Sequence, residues 1–136
     1  MELYLSNILE QLPQVQRAMI SVLYFSDEEV KGDQIAKSIN YRLKNRTIKK
    51  RQVADFKNQI NEFCVKEKLP FIIGSNGKGY KYIDIENNPE EALKEIESTI
   101  KTLNNRAITT LANLKFYKYA KDQISTKMKY ERNDSN

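Results

Sequence analysis

Six cations fall within positions 42–51: Arg42, Lys44, Arg46, Lys49, Lys50 and Arg51. No acid offsets them there, so the run must be solvated or must face something anionic. Lys57, Asn58 and Asn61 follow, and Lys78 and Lys81 lie beyond, around a glycine-rich stretch. Guanidinium and carboxamide groups make paired hydrogen bonds to planar acceptors, and ammonium groups meet phosphates as point charges. Such chemistry holds a polyanion and makes no bonds. Catalysis has little to work with. Histidine is absent, which removes a His-dependent triad and imidazole metal ligation. Glu28-Glu29 and Glu90-Glu91 are adjacent pairs in turn or helix-start contexts, where capping suffices, and no serine sits in a nucleophile-elbow sequence. GSNGKGY clusters glycine with lysine, but a Walker loop needs Gly-Lys followed by Ser or Thr at a helix start. Here Gly79-Tyr80 follows and enters a strand-like run. No enzyme activity, cofactor or metal site is expected.

The elements that must carry these donors are legible by period. Within Lys49–Glu67, Val53, Phe56, Ile60, Phe63, Cys64 and Val65 place an apolar face along one helix. Lys50, Arg51, Lys57, Asn58 and Asn61 lie on or beside the opposite face. Pro70 ends that helix, because the residue before a proline is pushed out of the α region. Phe71-Ile72-Ile73 and Tyr80-Lys81-Tyr82-Ile83 read as strands joined by Gly74–Gly79, with Asn76-Gly77 predicting a type I′ turn. Tyr80 and Tyr82 share one strand face and read as packing. Upstream, residues 2–12 and Gln14–Phe25 are helical by pattern, with Pro13 between them. Val30-Lys31-Gly32 supplies an extended connection, and Asp33 is placed to cap a short helix over Gln34–Asn40. Between that helix and the next, Tyr41–Arg46 either extends the first helix or expands the turn.

Charge is segregated along the chain. Residues 1–30 hold one base against five acids, a net of −4, and residues 31–81 hold thirteen against four, a net of +9. Residues 82–136 hold nine of each sign. The excess positive charge therefore sits on the donors and their helix, and it predicts a polyanion. Together with the order of a short helix, a turn, a basic helix and a hairpin, it makes nucleic acid, double-stranded DNA foremost, the expected partner. No apolar run reaches the roughly 18 residues that span a bilayer, and the N-terminus lacks the pattern of a signal peptide. With one cysteine and no staple, a reducing cytoplasm is expected and Cys64 reads as a small buried hydrophobe.

Pro89 suits the first turn of a long helix running to about Lys127. Leu93, Ile96, Ile100, Leu103, Ala107 and Leu114 follow alternating spacings of three and four, with Thr110 at the weak position. Leu93, Ile96, Ile100, Leu103 and Ala107 are the candidate dimer interface; the competing reading folds this seam back onto the N-terminal helices. Residues 130–136 read as a frayed tail. The division expected is a basic domain over 1–87 and a helical extension over 88–136.

The order of parts resembles a family of small phage and prophage winged helix-turn-helix proteins, often encoded near replication genes. Its phrase of the form G-x-P-I-x-S-x-x-G-x-G-Y stands here as Lys68-Leu69-Pro70-Phe71-Ile72-Ile73-Gly74-Ser75-Asn76-Gly77-Lys78-Gly79-Tyr80. The later part stands as Pro89-Glu90-Glu91-Ala92-Leu93 and Arg106-Ala107. The chain departs in the residues flanking Pro70 and in its long basic connection. The resemblance implies a mostly α, α+β fold: a winged helix-turn-helix with a two-stranded wing and a long C-terminal helix. It implies DNA binding in transcription regulation or DNA replication. The DNA-binding residues expected are Arg46, Lys49, Lys50, Arg51, Lys57, Asn58, Asn61, Lys78 and Lys81. The alternative is an adaptor that uses the same scaffold to dock a replication protein.

Overall fold

The computed structural model describes residues 3–134; the start of the first helix at Glu2 and the last two residues of the tail lie outside them. The protein is mostly helical, with one two-stranded antiparallel sheet and a long C-terminal helix. The elements run α1 (Leu3–Leu9), α2 (Gln14–Tyr24), α3 (Gly32–Arg42), α4 (Lys50–Glu67), β1 (Phe71–Asn76), β2 (Gly79–Asp84) and α5 (Pro89–Asp134). The chain divides into two compact units, Met1–Ile96 and Glu97–Asn136. That division falls inside α5, beyond the 87/88 boundary read from the sequence. The first turns of α5 stay with the hairpin: Ala92 is buried, and Lys81 Nζ stands 3.6 Å from Glu95 Oε2.

The first unit is built on the apolar faces of its helices. Leu5, Leu9 and Leu12, then Val15, Ala18, Met19, Val22 and Leu23, then Ile35, Ala36 and Ile39 are all buried. On α4, Val53, Ile60 and Cys64 are buried and Phe56 and Phe63 pack against the core, whereas Val65 is exposed. Val65 follows Cys64 directly, and the 100° step per residue carries it off the buried face. Phe71 is fully buried, with Tyr82 stacked on it at 4.6 Å between ring centroids. Burial raises the phenol pKa of Tyr82 first of all, with Asp84 adding to the effect, as befits a ring used for packing. Burial also pushes the Cys64 thiol up to about 12. A thiol reagent should therefore label Cys64 in the folded protein only at the rate of unfolding, checked by following labelling against urea concentration.

Local closures differ from the expectations in instructive ways. Asp33 is not the cap of α3: Lys31 occupies that position and Asp33 lies in the first turn, where its charge still suits the helix dipole. The turn between α3 and α4 is both a little more helix and a longer loop, since α3 continues to Arg42 and α4 begins at Lys50. Asn40 closes it: the Ile48 N–H donates to Asn40 Oδ1 (2.6 Å) and Asn40 Nδ2 donates to the Ile48 carbonyl (2.9 Å). α4 ends with Lys68 in the left-handed region (φ 54°), and the Leu69 N–H returns to the Cys64 carbonyl, so Pro70 follows a stop already made.

The strands run further than expected, and the turn is not type I′. Register pairs Asn76 with Gly79, leaving Gly77-Lys78 as the loop. Among the described residues, positive φ is confined to Lys68 and Gly79. The Asn76 carboxamide shapes the loop by accepting the Lys78 N–H at 2.8 Å. Val30 adds a short third rung beside β2, exchanging two 2.8 Å hydrogen bonds with Tyr80.

Because Asn40 satisfies both backbone groups of the half-exposed Ile48, Asn40→Ala should cost about 1–3 kcal/mol. Asn58→Ala, on an exposed surface, should stay within about 0.5 kcal/mol. Urea midpoints of the two variants check the contrast.

Candidate nucleic-acid interface

The candidate site lies where the start of α4 meets the hairpin. α4 carries no acid in its first turn, so the positive end of its dipole is not neutralised from within. The Lys49 N–H donates to Gln52 Oε1 (2.8 Å), and the Gln52 N–H donates back to the Lys49 carbonyl (2.9 Å). That closure fixes the backbone and leaves the side chains of Lys49, Lys50 and Arg51 exposed. Together with Gly32, Ala54 and Tyr80 they line a shallow hollow. Gly32 matters by being small, since an added Cβ would stand 3.3 Å from Lys50 Cγ and 3.5 Å from Tyr80 Cε2. Three cations therefore rim a floor made of a helix start and the ring of Tyr80.

The remaining expected residues divide by how they are held. Arg46 is exposed in the α3–α4 loop, Lys78 is exposed at the hairpin tip, and Asn58 is exposed on α4. Lys57 is half-buried between α4 and the hairpin, its Nζ donating to Ser75 Oγ at 3.2 Å. Lys81 is paired with Glu95 and faces the start of α5. Asn61 is a structural clamp: the Ile73 N–H donates to its Oδ1 (2.8 Å), and its Nδ2 donates to the Ile73 carbonyl (2.9 Å). Both ends of that carboxamide are engaged, so it ties β1 to α4 in place of the expected ligand contact.

Two acids enter the picture that charge counting along the chain did not locate. Asp55 is exposed one turn beyond Arg51. Glu29 reaches the hairpin turn, where Asn76 Nδ2 donates to it at 3.3 Å. Its carboxyl is held below the ordinary range by a hydrogen bond from its own backbone and then by Asn76, with Lys81 and Lys78 adding to the effect. The hairpin lysines are thus partly offset, whereas Lys49, Lys50 and Arg51 form no ion pair among the described residues.

Along α5 the expected dimer residues are mostly uncovered. Leu93, Ile100 and Leu103 are 55, 51 and 54% exposed, Ala107 is exposed and Ile96 is half-buried. No described helix is long and apolar enough to cross a membrane. Among the described residues, no group of three or more His, Cys, Asp or Glu is arranged to hold a metal ion. The chain matches no family model, and no curated protein or solved structure gives a match to it.

Proposed function

We propose that this chain is a winged helix-turn-helix protein that binds double-stranded DNA, with α4 as the recognition helix and the β1–β2 hairpin as the wing. The observation that carries this reading is the uncompensated cluster of Lys49, Lys50 and Arg51 at the open start of α4, beside the hairpin. In helix-turn-helix proteins the early residues of the second helix reach base edges while its neighbours hold the backbone. The succession α3, turn, α4, hairpin supports the assignment, and so does the Val30 rung, which lies beside β2 and steadies the arm that carries Lys78. A regulatory or replication-linked role in a phage, acting in the cytoplasm of a bacterial host, follows from the resemblance of the wing phrase.

Affinity for duplex DNA should fall steeply with salt, because each phosphate contact releases condensed counterions. Four to six contacts give a log–log slope of roughly −3 to −6. A duplex titration across salt concentrations measures it. A flat dependence, or no duplex binding at all, would overturn this reading and favour the adaptor.

A further inference from the structure

The apolar stripe of α5 continues past Leu114. After Leu114 the alternation of three and four continues through Tyr117, Lys121, Ile124 and Met128, all within the same unbroken helix. Every residue from 100 to 132 is exposed in the single chain. Ile108, Phe116, Tyr119 and Tyr130 lie off the stripe. We propose that α5 pairs with α5 of a second copy as an antiparallel two-stranded coiled coil, centred near Ala112. This goes beyond the DNA reading and holds whether or not DNA is bound.

The orientation follows from what each arrangement would place face to face. In a coiled coil the two alternating positions of the heptad form the core layers. A parallel pair sets each core residue against its own copy. Lys121 would then meet Lys121, a desolvated like-charge contact, and Ala107 would meet Ala107 across a void. Further out, Lys127 would flank Arg132 of the other helix. An antiparallel pair joins the two kinds of core position instead. Ile100 then faces Ile124, Leu103 faces the aliphatic stem of Lys121, Ala107 faces Tyr117, and Thr110 faces Leu114. One register satisfies all four layers, and the two-fold axis repeats them. The smallest core residue meets the largest, and Lys121 stands against an apolar neighbour along which its stem can run to solvent. Outward, Ile96 faces Met128 by the same rule.

Charge selects the same orientation. Residues 90–104 hold four acids and two bases, a net of −2, while residues 120–134, which this register lays against them, hold four bases and three acids, a net of +1. Antiparallel pairing lays that acidic stretch of each helix along the net-basic end of the other and leaves residues 105–119, with three bases and no acid, along their own copy; parallel pairing stacks all three stretches like on like. The internal dipole explains acid early and base late in one helix, but it does not place Ala107 opposite Tyr117.

Cysteine crosslinking of the full chain with a short bis-maleimide tests the proposal, with the unmodified protein and its buried Cys64 as the control. Asn113 flanks the two-fold axis and meets its own copy only in the antiparallel pair, so Asn113→Cys should yield a covalent dimer. Ile100→Cys should not, because the two copies of residue 100 would lie 24 residues apart, about 36 Å along the helix. Sedimentation should give a dimer, and Ile100→Glu should raise its dissociation constant at least about 100-fold. A monomer or a higher oligomer in the unmodified protein overturns the proposal. So does the reverse crosslinking pattern, which would establish a parallel pair.

Discussion

Gly79→Ala is expected to lower the unfolding free energy by about 2–4 kcal/mol, through strain at a special φ and through lost hydrogen bonds. Gly79 has φ +138°, which an L-residue rarely adopts. An added Cβ would stand 2.5 Å from the Val30 carbonyl oxygen and 2.7 Å from its carbon. These are backbone atoms, and they can yield only by giving up the paired hydrogen bonds between Val30 and Tyr80. Gly77 supplies the control, since nothing lies within 4 Å of its added Cβ and its φ is not positive. Gly77→Ala should stay within about 0.5 kcal/mol. Urea unfolding of the two variants decides it: equal midpoints would mean that the Val30 rung holds nothing. The consequence reaches the interface, because Tyr80 is both the partner of Val30 and part of the floor beneath Lys50 and Arg51. Loosening that rung should weaken binding to every duplex alike.

The helices and their buried faces were legible because burial follows a 3.6-residue period that the apolar residues spell out. Val53, Ile60 and Cys64 on α4 needed nothing else. The hairpin was legible as a hairpin but not in its detail. Asn76-Gly77 carries the composition of a type I′ turn, yet the loop is Gly77-Lys78. Two of the glycines serve close packing: a Cβ on Gly74 would meet Ile83 Cδ1 at 2.5 Å, and Gly79 lies against Val30. Composition does not say which glycine bends and which merely makes room.

The clamps were illegible for a different reason. Asn40 and Asn61 each copy the two hydrogen bonds of a strand partner, to Ile48 and Ile73, across 8 and 12 residues. No periodicity encodes a bond between a helix side chain and a distant backbone group. By sequence Asn61 belongs with the donors of the outer face, because asparagine at that spacing fits a ligand as well as it fits a strand. The available signal was its place one residue after buried Ile60 and two before Phe63, on the margin of the packed face. Lys81 was misleading in a similar way: the acid that pairs with it, Glu95, belongs to an element that sequence alone assigned to the extension.

The strongest functional test separates reading bases from holding the backbone. Arg51 lies in the first turn of α4, exposed and with no ion pair among the described residues, and its helix start is not occupied by an acid. A guanidinium there can bind guanine O6 and N7 together, a pairing that phosphate contacts do not imitate. Arg51→Ala should therefore lose about 1–3 kcal/mol on the preferred duplex and much less on a random one. Lys78, exposed at the hairpin tip beyond a loop shaped by Asn76, offers one mobile charge suited to phosphate. Lys78→Ala should weaken both duplexes equally and make the salt slope shallower by about 1. The preferred duplex comes from selection on random sequences, and competition titrations with the two duplexes then compare the variants. Equal losses for Arg51→Ala on both would reduce Arg51 to a phosphate contact. Base reading would then pass to Lys50 or Asn58, the exposed donors of the expected set left on α4 once Asn61 is tied to Ile73 and Lys57 to Ser75.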